Sequence, residues 1–109
     1  MPKSDSLQGS LDLLVLTILS RRPRLHGYAI MSAIQSMSGE ALRVEEGSLY
    51  PALHRMEQSG WIASEWALTE TNRKAKYYRL CAAGRKQLLE AEKNFEHLVK
   101  GVRAILRLA

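Results

Sequence analysis

The chain has 109 residues, 46% hydrophobic and 25% charged, which is typical of one folded domain rather than a disordered or membrane-spanning chain. Its single cysteine, Cys81, excludes an internal disulfide, and its three histidines lack the spacing of a zinc site, so we predict no metal and no cofactor. The net charge of +5 is compatible with a polyanionic partner, but it is modest enough to serve solubility alone.

The N-terminal part of the chain predicts a flexible polar tail over residues 1–6 and then a helix. Apolar residues recur from Leu7 at helical spacing, and Leu13 and Leu16 add apolar surface on the other side. A helix that is apolar nearly all round is buried on more than one side, so we expect a second chain to cover part of it. The run "LDLLVLTIL" has neither the length of a membrane span nor the basic leader of a signal peptide, which indicates a cytoplasmic protein without membrane contact.

Two further helices are predicted before the middle of the chain. Pro23 marks a turn, and a helix over Gly27–Met37 follows it and ends at Ser38 and Gly39. The stretch "GSLYPALHRMEQSGWI" then contains a third helix with an apolar stripe of Leu49, Ala52, Leu53 and Met56, opposite Pro51, His54, Arg55 and Gln58. Since proline is tolerated in the first helical turn, we expect this helix to start at Ser48 as its cap.

The polar face of the third helix has the chemistry of a DNA-reading surface. Free amides near Ser48 would suit a phosphate, and Arg55 and Gln58 carry the donors and acceptors that recognise base edges in a major groove. The alternative is a solvated helix face, which is what most polar faces are.

A β-hairpin beside this helix favours the first interpretation. The segments "WIASEWAL" and "AKYYRL" are typical of short strands, and Asn72 between them tolerates turn geometry. Arg73, Lys74 and Lys76 collect at the tip, where they could reach the phosphates that flank the third helix. Two independent features therefore indicate double-stranded DNA as the partner.

The last helix, Ala82–Leu108, predicts a second copy of the chain. Leu88, Ala91, Phe95, Leu98, Val102, Ile105 and Ala109 are spaced 3 and 4 residues apart, which is a heptad seam. A rod of about 40 Å is longer than a small domain covers, and leaving the seam exposed would lose on the order of 10 kcal/mol. We predict a homodimer whose interface comprises Leu7, Leu11, Leu14, Leu88, Phe95, Leu98, Val99, Val102, Ile105 and Leu106.

The element order is helix, helix, helix, hairpin, helix. It predicts a mainly α fold with a small β-hairpin, that is, a winged helix-turn-helix plus a long C-terminal helix. We assign residues 7–80 to a DNA-binding domain and residues 81–109 to a dimerisation helix.

Three motifs resemble the PadR family of bacterial transcriptional regulators, in particular the small subfamily with one C-terminal helix. They are "LHGYAI" at 25–30, "GSLYPALHRMEQSGWI" at 47–62 and "KYYRL" at 76–80. The resemblance implies a homodimeric repressor of a palindromic operator. It assigns DNA contact to Ser48, Tyr50, His54, Arg55 and Gln58 on the helix and to Arg73, Lys74 and Lys76 on the wing. Some multidrug-binding relatives hold flat ligands with an aromatic near Phe95, so a small aromatic effector is a further expectation, although seam packing is the commoner role.

One other function is compatible with the same predicted elements. A winged helix can serve protein–protein contact without DNA, and this is the main alternative. No phosphate-binding glycine loop or nucleophile elbow indicates an enzyme.

Each histidine is expected to be buried or to cap a helix. Cys81 stands where the family commonly has threonine, a better cap for the last helix.

Overall fold

A computed structural model describes the backbone of residues 2–108 and the side chains of residues 10–107. The elements are α1 (Pro2–Arg21), β1 (Leu25–His26), α2 (Gly27–Met37), α3 (Glu46–Gln58), β2 (Ile62–Leu68), β3 (Lys74–Leu80) and α4 (Ala82–Leu108). They follow the predicted order with one addition, the short strand β1. The architecture is a winged helix-turn-helix with a long C-terminal helix, as the sequence predicts.

Helix α1 lies at the centre of the core. Val15 and Leu16 are fully buried, because α2, α3, β3 and α4 of the same chain all contact this helix. Leu13 and Leu14 of α1 are only half-buried, so cover of part of this helix by a second chain stays a prediction. Of the residues assigned to the dimer interface, Leu11 belongs to this core and Leu14 packs against it, while the side chain of Leu7 lies outside the described residues.

The backbone of α1 begins at Pro2, so it continues through the segment for which the sequence predicts a flexible tail. Proline fits the first turn of a helix because its missing amide donor would have no helical partner there. Helical geometry does not itself report mobility, so the flexibility of residues 2–6 stays a prediction.

Helix α2 begins and ends at features that the sequence indicates. The amide of Ala29 donates to Nδ1 of His26 at 3.2 Å, which caps the first turn. At the other end the amide of Ser38 donates to the carbonyl oxygen of Ile34 at 3.2 Å. Gly39 follows with a φ of 64°, a left-handed conformation that ends helices and favours glycine.

The sheet has the strand order β1-β3-β2, and both strand pairs are antiparallel. In β1, Leu25 and His26 pair with Tyr78 and Tyr77. Two residues are too few to show the alternation that identifies a strand, so the sequence predicts only the β2–β3 hairpin. Ile62 and Tyr78 anchor the base of this hairpin in the core, and the hairpin as a whole forms the wing (62–80).

Helix α4 approaches the base of the wing so closely that it requires a glycine. The amide of Cys81 donates to the carbonyl oxygen of Trp61 at 2.9 Å, which fixes the start of α4 against the turn before β2. A methyl group at Gly84 would overlap that same carbonyl oxygen and would lie 2.6 Å from Cδ1 of Leu80. Although glycine weakens a helix by propensity, Gly84 is the residue that allows this contact.

Replacing Gly84 by alanine is expected to destabilise the fold by about 1–3 kcal/mol, because the methyl group must displace backbone atoms. Gly101 in the same helix is the matched control, since a methyl group there would meet no atom within 4 Å. Its replacement by alanine should stabilise the helix by about 0.5–1 kcal/mol. Urea unfolding at one fixed protein concentration measures both changes, and equal effects at the two positions would show that the close approach is unimportant.

The C-terminal half of α4 projects beyond the domain. Near its start the helix contacts α1, and Leu88 packs against the core. Residues 100–107 are all exposed, and the molecule is 55 Å long but only 29 Å and 27 Å across. Five residues of the predicted dimer interface, Phe95, Leu98, Val102, Ile105 and Leu106, are between 44% and 69% exposed. One apolar stripe is thus covered at one end of the helix and exposed at the other.

Candidate nucleic-acid interface

Helix α3 buries one side against the core and presents the other to solvent. The buried side carries Leu49, Ala52, Leu53 and Met56, as the apolar stripe predicts. The exposed side carries Ser48, Tyr50, Pro51, His54 and Gln58. Four of the five DNA contacts expected on this helix therefore share one accessible face, and the fifth, Arg55, is half-buried.

The N-terminus of α3 differs from the prediction. The helix begins at Glu46, with Glu45 as an N-cap residue that makes no side-chain cap bond. Ser48 is therefore not the cap, and Pro51 is the sixth helical residue rather than a residue of the first turn. Proline is tolerated at this depth because the carbonyl group that it leaves without a helical donor belongs to Gly47, which is exposed to water.

This earlier start changes the electrostatics at the end of α3. The amides of Ser48 and Leu49, expected to be free for a phosphate, both donate to the carbonyl oxygen of Glu45, at 3.0 and 2.9 Å. Glu45 and Glu46 also place two carboxylates at an end that would otherwise attract anions. This end of α3 is therefore poorly suited to binding a phosphate.

Arg55 points away from the exposed face and towards α1. Its Nη1 and Nη2 donate to Oδ2 and Oδ1 of Asp12, each at 2.9 Å, which is the two-bond arrangement that fits a guanidinium to a carboxylate. Asp12 is only 9% exposed. The hydrogen bonds to Asp12 raise the pKa of Arg55, against the opposing effect of burial. The group that the sequence assigns to base reading is thus engaged within the chain and joins α3 to α1.

Glu57 joins the opposite edge of α3 to the wing. The hydroxyl of Ser64 on β2 donates to Oε2 of Glu57 at 2.6 Å, and Nζ of Lys76 on β3 lies 3.6 Å from Oε1. Residues 55 and 57 lie about 200° apart around a helix, so the two polar contacts hold α3 from opposite sides. They fix the rotation of the helix and hence the side chains that face outwards.

Tyr50, His54 and Gln58 lie between these two anchoring contacts. The ring of Tyr50 packs over Gly27, where a methyl group would lie 2.6 Å from Cε1 of the ring. Its orientation is thereby set by α2, while 42% of the residue stays exposed. His54 and Gln58 are exposed one turn apart, and the amide of Gln58 can both donate to and accept from a base edge.

The tip of the wing is an ordered turn that carries the predicted cations. The amide of Thr69 donates to the carbonyl oxygen of Arg73 at 2.7 Å, and the amide of Arg73 donates back to Oγ1 of Thr69 at 3.1 Å. Asn72 has a φ of 65°, the left-handed geometry expected of it. Arg73 and Lys74 are exposed at this tip, whereas Lys76 is half-buried further down the strand.

Comparison with known proteins places this geometry in a family. Residues 15–90, most of the chain, match the Transcriptional regulator PadR-like family. The chain belongs to the PadR-like family. In sequence this PadR-like chain is 38% identical over 68 residues to a transcriptional regulator of Mycobacterium tuberculosis, an alignment that covers 62% of this chain and 63% of that protein.

Solved structures of regulators resemble the PadR-like chain over nearly its whole length. A transcriptional regulator from Clostridium thermocellum superposes with a TM-score of 0.81 at 28% identity, covering 92% of this chain and 96% of that one. A PadR family transcriptional regulator from Eggerthella lenta has a TM-score of 0.74 at 33% identity, covering 95% and 88%. The protein is therefore a DNA-binding transcriptional regulator and not an enzyme.

Several residues of the PadR-like site carry roles that the sequence does not indicate. Asp12 is the single carboxylate within the apolar run "LDLLVLTIL", and that contrast is the one signal that a buried partner exists. On β3, burial raises the pKa of the Tyr78 hydroxyl. The negative charge of Glu57 raises this pKa further, and so does the nearby Tyr50. Glu57, which joins α3 to the wing, is thus also a charge that acts on this buried hydroxyl.

The histidines of this PadR-like regulator have differing environments. His26 caps α2 as expected, but His54 and His97 are exposed, so the expectation of a buried or capping role is wrong for both. Among the described side chains, no three His, Cys, Asp or Glu residues are grouped closely enough to hold a metal ion. No helix in the described part of the chain is long and apolar enough to cross a membrane.

Proposed function

We propose that this PadR-like regulator is a cytoplasmic repressor that binds an inverted-repeat operator as a homodimer. In this proposal α3 enters the major groove and the wing contacts the flanking backbone. The observation that carries it is the outward face of α3, held between two anchoring contacts and placed beside a cationic wing tip. Major grooves admit a helix of this kind, and basic side chains supply affinity through the phosphates.

The residues proposed to contact DNA differ from the sequence prediction at one position. Tyr50, His54 and Gln58 face outwards and are assigned to base edges or sugars, and Ser48 lies on the same accessible side. Arg55 is reassigned from base reading to positioning α3, because its guanidinium is bonded to Asp12. On the wing, Arg73, Lys74 and Lys76 remain the proposed phosphate contacts.

The homodimer is supported by the exposed stripe of α4. Its residues continue the heptad spacing of the part that packs on α1, so a second α4 can cover them in the same way. The charges along the helix favour an antiparallel arrangement, because residues 90–96 carry three glutamates and one lysine, whereas residues 100–107 carry Lys100, Arg103 and Arg107 and no acidic residue. A two-fold axis would place residues 90–96, which carry a net negative charge, against the basic residues 100–107 of the other helix.

A two-fold dimer also predicts the form of the operator. Two copies of α3 related by a two-fold axis contact inverted half-sites about 10 base pairs apart. Selection of bound fragments from random DNA tests binding, symmetry and spacing together. Recovered fragments with a single half-site, or without a shared sequence, would contradict the proposal.

Substitutions on α3 and on the wing should distinguish base reading from phosphate contact. Gln58→Ala is expected to weaken operator binding roughly tenfold and to relax sequence preference at one position per half-site, with little change on random DNA. Lys74→Ala should weaken binding to both DNAs and lower the log–log salt slope by about two per dimer, one for each subunit. Fluorescence anisotropy at several salt concentrations measures both effects. Lys86→Ala, which removes an exposed charge from α4 instead, is the control and should change neither quantity.

An aromatic effector is a separate part of the proposal. Phe95 lines an open cleft of about 450 Å³ between α1, α2 and α4, together with apolar side chains that include Leu14, Ile34 and Met37. Clefts of this size hold small ligands in other proteins. Ligand binding beside Phe95 therefore stays a prediction, and DNA recognition by α3 does not depend on it.

A further inference from the structure

The wing exposes two large apolar residues that are not part of the hydrophobic core. Trp66 is 62% exposed and Leu68 is 63% exposed, whereas Ile62, which points to the same side of β2, is buried in the core. Tryptophan and leucine are seldom left in water beside each other, and an exposed tryptophan is typical of a contact surface. These two side chains therefore need a partner that lies outside the domain.

The register of the sheet places a lysine beside each of them. Trp66 is directly opposite Lys76, and Leu68 is directly opposite Lys74. Residues paired across antiparallel strands project from the same face of a sheet, so the four side chains form one surface, the wing patch (Trp66, Leu68, Lys74 and Lys76). The wing patch therefore consists of an apolar row on β2 beside a cationic row on β3.

The wing patch is continuous with the outward face of α3. Ser64 lies on the same face of β2, two residues before Trp66, and its hydroxyl donates to Glu57 of α3. Lys76, opposite Trp66, lies 3.6 Å from the same carboxylate. A ligand that covers Tyr50 and Gln58 and extends past Glu57 therefore continues over Trp66 and Leu68.

We propose that Trp66 and Leu68 pack against deoxyribose rings of the duplex that flanks each half-site, while Lys74 and Lys76 contact the phosphates that run alongside those sugars. This inference rests on the proposed DNA-binding mode of α3. Along a nucleic-acid strand the charged phosphates form one edge and the apolar sugar faces lie beside them, which matches the cationic row and the apolar row of the wing patch. Apolar side chains in contact with sugars and base steps of the minor groove are a known means of binding DNA without reading sequence.

Apolar and ionic contacts respond differently to salt, and this difference tests the inference. Trp66→Ala is expected to weaken binding to operator and random DNA about tenfold, and Leu68→Ala about threefold, because apolar area is no longer buried. Neither substitution should change the log–log salt slope, since no phosphate contact is removed. Leu89→Ala is the matched control, because Leu89 is 61% exposed but lies on α4, and it should leave binding unchanged.

Tryptophan fluorescence gives a direct readout of the same contact. In a Trp61→Phe protein the remaining indole is Trp66, and its emission should shift to shorter wavelength and change in intensity when the selected operator is added. Thermal unfolding by circular dichroism checks that each variant is folded.

The possible results separate this inference from the proposed function. If the protein binds the operator while Trp66→Ala binds equally well and the Trp66 emission stays constant, the inference is overturned and the mode of α3 stands. A weaker Trp66→Ala complex with an altered salt slope also overturns it, since the effect would then come from displaced charges. If the unmodified protein binds no duplex at low salt, the proposed function fails first and the wing patch serves another partner, such as an acidic protein segment.

Discussion

Replacing Val102 by aspartate is expected to convert the protein from a dimer to a monomer and to weaken operator binding roughly a hundredfold or more. Val102 belongs to the exposed apolar stripe of α4, which runs from Phe95 to Leu106, and it is the member of that stripe nearest the middle. In the proposed dimer the substitution buries two unpaired carboxylates close to each other, which is strongly unfavourable. A monomer then contacts a single half-site and loses the high effective concentration that links the two halves.

Ala104 offers a control for this result. It lies two residues further along the same helix, about 200° around it, and it is also exposed. Ala104→Asp adds the same charge to the same helix but faces away from the stripe, so the dimer and operator binding should both persist. Sedimentation equilibrium gives the oligomeric state and fluorescence anisotropy gives the affinity. A Val102→Asp protein that still sediments as a dimer would show that the stripe is not the interface.

The sequence predicts most of the architecture because each main element is coded locally. The stripe of α3, the end of α2 at Ser38 and Gly39, and the turn at Asn72 are all recognised from residues within a few positions of each other. Strand β1 is missed because Leu25 and His26 form a strand only through pairing with β3, more than fifty residues later. Such a short segment has no periodicity of its own.

The candidate site is less predictable, because its orientation depends on contacts between distant parts of the chain. Arg55 sits on the polar side of α3, and the sequence alone does not distinguish a side chain facing DNA from one facing α1. Its partner, Asp12, is forty-three residues away, and only the crossing of the two helices brings them together. The alternation in "WIASEWAL" predicts a strand in the same local way. It does not predict that Ile62 is buried in the core while Trp66, on the same face of the strand, is exposed beyond it.

Breaking the contact between Asp12 and Arg55 is expected to destabilise the fold more than breaking an exposed ion pair. Asp12→Ala leaves the guanidinium of Arg55 half-buried, without the acceptor for two of its donors. We expect the free energy of unfolding to fall by about 2 kcal/mol, since an unpaired donor retains its desolvation penalty. The partial exposure of Arg55 limits this penalty. For a domain of this size the loss corresponds to a fall in Tm of about 10 °C.

Glu65→Ala provides the exposed comparison. Glu65 forms an ion pair with Arg24 at 2.8 Å, but both side chains are largely exposed, so its loss should cost less than about 1 kcal/mol. Urea unfolding of both variants at one protein concentration measures the difference. If the two substitutions have the same small effect, the Asp12–Arg55 contact does not anchor α3.

A double-mutant cycle then decides whether Arg55 positions the helix or reads bases. If Arg55 acts through Asp12, the Asp12→Ala and Arg55→Ala effects on stability are not additive and differ from their sum by about 1–3 kcal/mol. Both variants should also weaken operator binding to a similar extent, because each lets α3 rotate away from its fixed orientation. If Arg55 reads bases instead, Arg55→Ala alone relaxes the selected sequence while Asp12→Ala retains it. The two outcomes differ in the sequences recovered from random DNA, so partial loss of stability in either variant does not obscure the answer.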